Sequence, residues 1–141
     1  VRVFSSSEEE TFKIGELIGR NLRGAEVICL IGPLGAGKTT LIRGIAKGMG
    51  LLQGYQVRSP TFTLINEYPT EKGLLIHADL YRVKELDLEE FVGRGVLVVE
   101  WGEGLRVCTC TIRIEIWQEG RVLDFSECEE LATALSYGKA C

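Results

Sequence analysis

Residues 32–40 read G-P-L-G-A-G-K-T-T, a run whose residue types and spacing suit a loop that wraps a phosphate. Gly32, Gly37, Lys38 and Thr39 fill the fixed places of the pattern G-x-x-x-x-G-K-[ST]. Glycine lets backbone N–H groups converge on an anion where a Cβ would intrude. Lys38 then reaches the outer phosphates of a nucleoside triphosphate, and the Thr39 hydroxyl can ligate Mg²⁺. With 17 glycines in 141 residues, a chance match has to be weighed. The flanks argue against chance: residues 25–31 (AEVICLI) read as a buried strand, and 41–49 (LIRGIAKGM) carry apolar residues at helical spacing. Strand, loop, helix is the arrangement such a motif requires.

Two carboxylates close apolar strands further along. Asp79 ends residues 73–79 (GLLIHAD), and Glu100 ends residues 95–100 (GVLVVE). A run of aliphatics closing on an acid is the position that orients Mg²⁺ or its water shell. Glu100 stands where aspartate is usual, and Asp79 competes with it for the metal role. Trp101 follows directly, either as a packed aromatic or as part of a nucleotide pocket. His77 lies inside an apolar run and reads as a core histidine with a satisfied ring. Residues 57–64 (VRSPTFTL) are extended before Pro60. They are either a loop into the next strand or a switch-like segment whose Thr61 hydroxyl faces the γ-phosphate.

Positioning these groups takes the rest of the chain. Residues 1–4 form a short edge strand. Serine capping and three glutamates open an amphipathic helix over 8–22, with Phe12, Ile14, Leu17, Ile18 and Leu22 as its stripe. Residues 48–54 are a turn region. Strands over 63–68 and 73–79 form a hairpin across 69–73, and a short acidic helix covers 85–91. Strands over 109–117 and 121–126 pair across 118–120, and a helix over 129–137 closes the chain. The expected fold is α/β: one domain over 1–141 of the P-loop NTPase type, a mixed central sheet flanked by helices, with antiparallel hairpins.

Composition narrows the function. Apolar residues make up 45% and charged residues 26%, as in soluble globular proteins. A net charge of −4, with no basic run, argues against a large surface that grips nucleic acid directly. Any RNA would be held mostly by a partner. The five cysteines are odd in number and lack a C-x-x-C pair. Cys108 and Cys110 would share one strand face, which suits packing better than zinc. They read as bland thiols in a reducing cytosol. No apolar run approaches a membrane span and no signal peptide is visible. The chain begins at Val1, so an initiator methionine is lost or omitted.

Four segments stand in order: GPLGAGKTT, SPTFTL, HADLYR and VVEWGE. Together they resemble the TsaE (YjeE) family of bacterial P-loop ATPases, which act in tRNA threonylcarbamoyladenosine biosynthesis. The resemblance spans nearly the whole chain, including E-E-T at residues 9–11. It implies that Lys38, with Gly32, Leu34, Gly35, Ala36, Gly37 and Thr40, holds the phosphates of ATP. Thr39 and Glu100 would be the Mg²⁺ pair, Asp79 would support hydrolysis, and Thr61 would sense the phosphate. Thr11 would lie near the adenine, with Trp101 beside the nucleotide and Arg121 reaching it from the C-terminal hairpin. The implied partners are TsaD and TsaB, which would hold the tRNA, in the cytoplasm. The chain departs from the family in the short, proline-free G-E-G-L after Trp101 and the brief 92–94 loop. A small-molecule kinase is a rival, but no arginine-bearing lid fits. A GTPase lacks its N-K-x-D motif here. A nucleotide-gated binding module with negligible turnover would use the same residues.

Overall fold

A computed structural model describes residues 1–60, 64–81, 87–101 and 105–140, with backbone alone for 136–140. Among the described residues, seven strands form one sheet: β1 (Arg2–Ser5), β2 (Val27–Ile31), β3 (Ile65–Thr70), β4 (Gly73–Asp79), β5 (Val96–Glu100), β6 (Cys110–Trp117) and β7 (Gly120–Ser126). Their spatial order is β1-β7-β6-β2-β5-β4-β3. The central strands β6, β2, β5 and β4 run parallel, while β3, β7 and β1 are antiparallel to their neighbours. This is the mixed α/β sheet with hairpins that the sequence implies. Helices α1 (Glu8–Asn21), α2 (Lys38–Met49) and α3 (Glu129–Ala140) send their buried residues into one shared core with Leu30, Leu75 and Val98. The opposite face, with Val27, Ile76, Leu97 and Val99, is closed by Leu80, Leu88, Phe91 and Trp101.

Local chemistry explains the elements. Ser7 caps α1 by accepting a bond from the Glu10 N–H at 3.0 Å, and three glutamates fill the first turn. At the other end, the Lys72 ammonium donates to the carbonyls of Gly19, Arg20 and Leu22, which satisfies a helix terminus. Strands β2 and β5 are buried on both faces, hence their unbroken aliphatic runs. Pro69 sits inside β3 rather than in the turn; β3 is an edge strand, where a missing N–H is tolerated. Of the expected acidic helix, only a single 3₁₀ turn at Glu89–Phe91 is seen, and residues 85–86 lie outside the described residues.

The cysteines differ from the sequence expectation. Cys29 pairs with Cys108 and Cys110 with Cys128 as disulfides, at Cα separations of 5.8 and 5.0 Å. Strand β6 begins only at Cys110, so strand alternation does not place Cys108 beside it. Cys108 packs in the cluster below the sheet and Cys110 in the helix-side core. The reading of a reducing cytosol from unpaired thiols loses its premise. Cys141 is outside the described residues. Among those residues, no helix is long and apolar enough to cross a membrane.

Helices α1 and α2 meet backbone to backbone. A Cβ on Gly48 would stand 2.0 Å from the Glu16 carbonyl oxygen, and one on Gly44 2.2 Å from that of Phe12. Gly48→Ala therefore destabilises the fold, by about 1–3 kcal/mol from overpacking, against the ~1 kcal/mol that alanine gains in helix propensity. Urea unfolding checks the sign, and an unchanged midpoint would contradict this packing.

Glu26 precedes β2 and accepts bonds from the N–H groups of Arg23, Gly24 and Ala25 at 2.7, 2.9 and 3.1 Å. Burial alone would raise its pKa, but the backbone donors together outweigh burial and hold the carboxyl below its ordinary value. A folded pKa below the unfolded one gives stability above the unfolded value, lost as pH falls through the folded one. Parent and Glu26→Gln should differ at neutral pH by about 1 kcal/mol or less after solvent screening. The gap should close as pH falls through and below the ordinary carboxylate range, which thermal melts taken from neutral to acid pH would check.

Candidate nucleotide site

The loop between β2 and α2 takes its shape from two glycines. Gly37 has φ of 101° and serves as the α2 cap, a conformation that L side chains rarely adopt. Gly32 passes so close to β6 that a Cβ would lie 2.5 Å from the Ile114 carbonyl oxygen. The loop thus ends at the N-terminus of α2, where free N–H groups and the helix dipole favour an anion.

A cavity of about 650 Å³ opens over this loop. Leu34, Gly35, Ala36, Gly37, Lys38, Thr39 and Thr40 line it, together with Thr11, Asp79, Glu100, Trp101 and Arg121. Gly32 does not line it; its carbonyl accepts a bond from Lys38 Nζ at 2.5 Å. Thr61 lies outside the described residues. Ser7, Glu8, Ser59, Pro60, Tyr81 and Glu119 also line the cavity and were not singled out from sequence. Ser59, Pro60 and Tyr81 fall within the quoted segments SPTFTL and HADLYR, and Ser7 and Glu8 within the capped helix start, whereas Glu119 carried no signal beyond its place in a hairpin turn.

Lys38 is buried, so its charge needs partners. Besides the Gly32 carbonyl, its Nζ lies 3.6 Å from the centroid of the Trp101 ring. Trp101 has φ of 61°, a strained value for an aromatic residue, and its N–H donates to the Leu30 carbonyl at 3.3 Å. Its ring also packs on Tyr81, 4.9 Å between centroids. Trp101 is therefore a fixed wall against the lysine.

Asp79 and Glu100 are direct neighbours in the β4–β5 register. Asp79 Oδ1 accepts the Tyr81 N–H at 2.9 Å, so the carboxylate caps its turn and also faces the cavity. Glu100 is buried, with Oε2 2.7 Å from His77 Nε2. The core reading of His77 holds for its burial and for one nitrogen only, because Nδ1 has no partner among the described residues. Thr11 is buried and hydrogen-bonded to Ser5 and to the Ser7 carbonyl, with its methyl facing Gly37. Thr39 Oγ1 lies 3.3 Å from Ser59 Oγ.

The charges suit a nucleotide accompanied by a cation. Lys38 and Arg121 are positive, whereas Glu8, Asp79, Glu100 and Glu119 are negative. A bare triphosphate would be repelled by those carboxylates, and a divalent ion removes the conflict. Thr39 and Glu100 offer hard oxygen donors of the kind Mg²⁺ takes. Among the described residues no group of three or more His, Cys, Asp or Glu forms a cage. An ion here would complete its shell with phosphate and water, as Mg²⁺ does.

A family model, "Threonylcarbamoyl adenosine biosynthesis protein TsaE", matches residues 5–123. The chain is 52% identical over 119 residues to the tRNA threonylcarbamoyladenosine biosynthesis protein TsaE of Aquifex aeolicus, covering 84% of this chain and 90% of that protein. It is 37% identical over 131 residues to the Treponema pallidum protein of the same name, covering 85% and 95%. The crystal structure of Bacillus subtilis YdiB superposes with a TM-score of 0.79 at 33% identity, covering 99% of this chain and 95% of that one.

Arg121 braces the loop: Nε donates to the Ala36 carbonyl at 3.0 Å and an Nη to that of Gly35 at 3.2 Å. These bonds hold both loop carbonyls toward β7. Arg121→Met should weaken ADP binding about tenfold, the loss of roughly 1.4 kcal/mol of charge-assisted bonding. Calorimetric ADP titration reads this directly, and unchanged affinity would remove Arg121 from the site.

Proposed function

Because the chain belongs to the TsaE family, we propose that it is the ATP-binding and ATP-hydrolysing component of the machinery that forms threonylcarbamoyladenosine in tRNA. It acts as a single Mg²⁺-dependent ATPase domain with TsaD and TsaB, which hold the tRNA, in the cytoplasm. The observation that carries this reading is the convergence of Lys38, Thr39, Asp79 and Glu100 on one cavity at the carboxyl ends of parallel strands.

The loop N–H groups and Lys38 bind the phosphates of ATP. Thr39 and Glu100 would hold Mg²⁺, which supplies neutralisation of phosphate charge when bound. Neither lysine nor loop places a water in line with the γ-phosphorus. Asp79 does so in this reading, held on the end of a core strand by its bond from Tyr81. The water oxygen bonds to phosphorus as the β–γ bridging P–O bond breaks, ADP leaves with the bonding pair, and the water's proton passes to an oxygen of the released phosphate. Thr61 senses the γ-phosphate and Trp101 walls the pocket.

Asp79→Asn separates charge from capping, because an amide oxygen still accepts the Tyr81 N–H. The variant should keep its fold and its ATP affinity to within a few-fold, yet lose most phosphate release. It should also fail to sustain repeated tRNA modification with TsaD and TsaB. Lys38→Ala, by contrast, should lose affinity and turnover together. Measuring phosphate release with and without TsaD–TsaB tests the reading itself: a switch would bind ATP without turning it over under either condition. If Asp79→Asn loses affinity together with turnover, Asp79 is a metal or structural residue.

A further inference from the structure

His77 is the chain's one histidine and is fully buried on β4. It stands two residues before Asp79 on the same sheet face, opposite Val98 of β5. Its neighbours on that face are aliphatic, including Leu75 and Val98. An aliphatic side chain would fill the position without stranding a polar atom, whereas His77 leaves Nδ1 buried and unpartnered among the described residues. Burying such a group costs stability, so packing alone does not account for an imidazole here.

The contact with Glu100 does. An ionised carboxylate only accepts, so the 2.7 Å approach is a hydrogen bond when Nε2 carries the hydrogen. Nδ1 is then a bare lone pair, a lesser loss than a stranded N–H. This bond ties down Oε2 of Glu100. Among the described residues Oε1 has no partner, and Glu100 lines the cavity.

Resting on the Mg²⁺–ATP reading above, we propose that His77 is a positioning residue: its Nε2–H holds one oxygen of Glu100 and presents the other to the metal-bearing side of the cavity. Outer partners of this kind set the orientation and affinity of carboxylate ligands. The sheet makes the device rigid, since donor and acceptor sit on adjacent hydrogen-bonded strands.

A lone histidine makes the test clean. In ¹⁵N-labelled parent protein, the imidazole signals should report hydrogen on Nε2 and none on Nδ1. The opposite tautomer overturns the proposal, and this measurement needs no variant. Mn²⁺ then serves as a spin probe in the presence of ADP. His77→Leu should weaken Mn²⁺ binding by roughly 10–100-fold, while metal-free ADP binding stays near the parent value. His77→Gln, whose amide can donate from a similar place, should return Mn²⁺ affinity to within about threefold. If His77→Leu holds Mn²⁺ as the parent does, or His77→Gln fails as badly as leucine, the positioning role is wrong. A parent that binds no Mn²⁺ with ADP overturns the Mg²⁺ reading and this inference together.

Discussion

The parallel register of β2, β5 and β4 is the constraint on which the site depends. Leu30 pairs with Glu100, and Glu100 pairs with Asp79, so three strands finish level with one another. Side chains alternate along a strand, and a slip of one residue would send Asp79 or Glu100 to the opposite face. Aliphatic burial on both sides of β5 prevents that slip, because every residue of the strand is packed. The same register sets His77 two residues below Asp79, within reach of Glu100. Core packing and functional geometry are therefore one specification.

The phosphate loop is supported from three directions. Helix α1 packs backbone to backbone against α2 through paired glycines, which fixes the helix that carries Lys38 and Thr39. Thr11 of α1 reaches the loop itself at Gly37. Arg121, on β7 two strands away from β2, holds the Gly35 and Ala36 carbonyls. This brings the C-terminal hairpin into the site although it is distant in sequence from the loop. Trp101 supplies a further wall, kept in a strained conformation by its bond to Leu30 and its contact with Lys38. Backbone strain of this kind persists only where surrounding contacts over-determine it.

Much of this was legible in the chain. The loop motif, the α1 cap, the apolar stripes and the two strand-ending acids are local features, and local chemistry placed them correctly as elements. Acidic composition suggests a helix over 85–91, but among its described residues only one 3₁₀ turn forms, at Glu89–Phe91. Placing Pro69 in the turn rather than in β3 failed because a proline's tolerance depends on whether its strand lies at an edge, a tertiary fact.

The sequence by itself determined the phosphate loop, the kinds of elements around it and the acids that face it. These follow from spacing along one chain, where glycine freedom, helical period and strand alternation act over a few residues. Tertiary structure alone decided which side chains meet. Cys108 and Cys110 part to opposite sides of the sheet because the strand begins only at Cys110. Arg121 turns its guanidinium to loop carbonyls, and His77 sets Nε2 against Glu100 while, among the described residues, Nδ1 has no partner. Each of these depends on strand order and register, which are set by how the whole sheet closes around its core, and no local period encodes them.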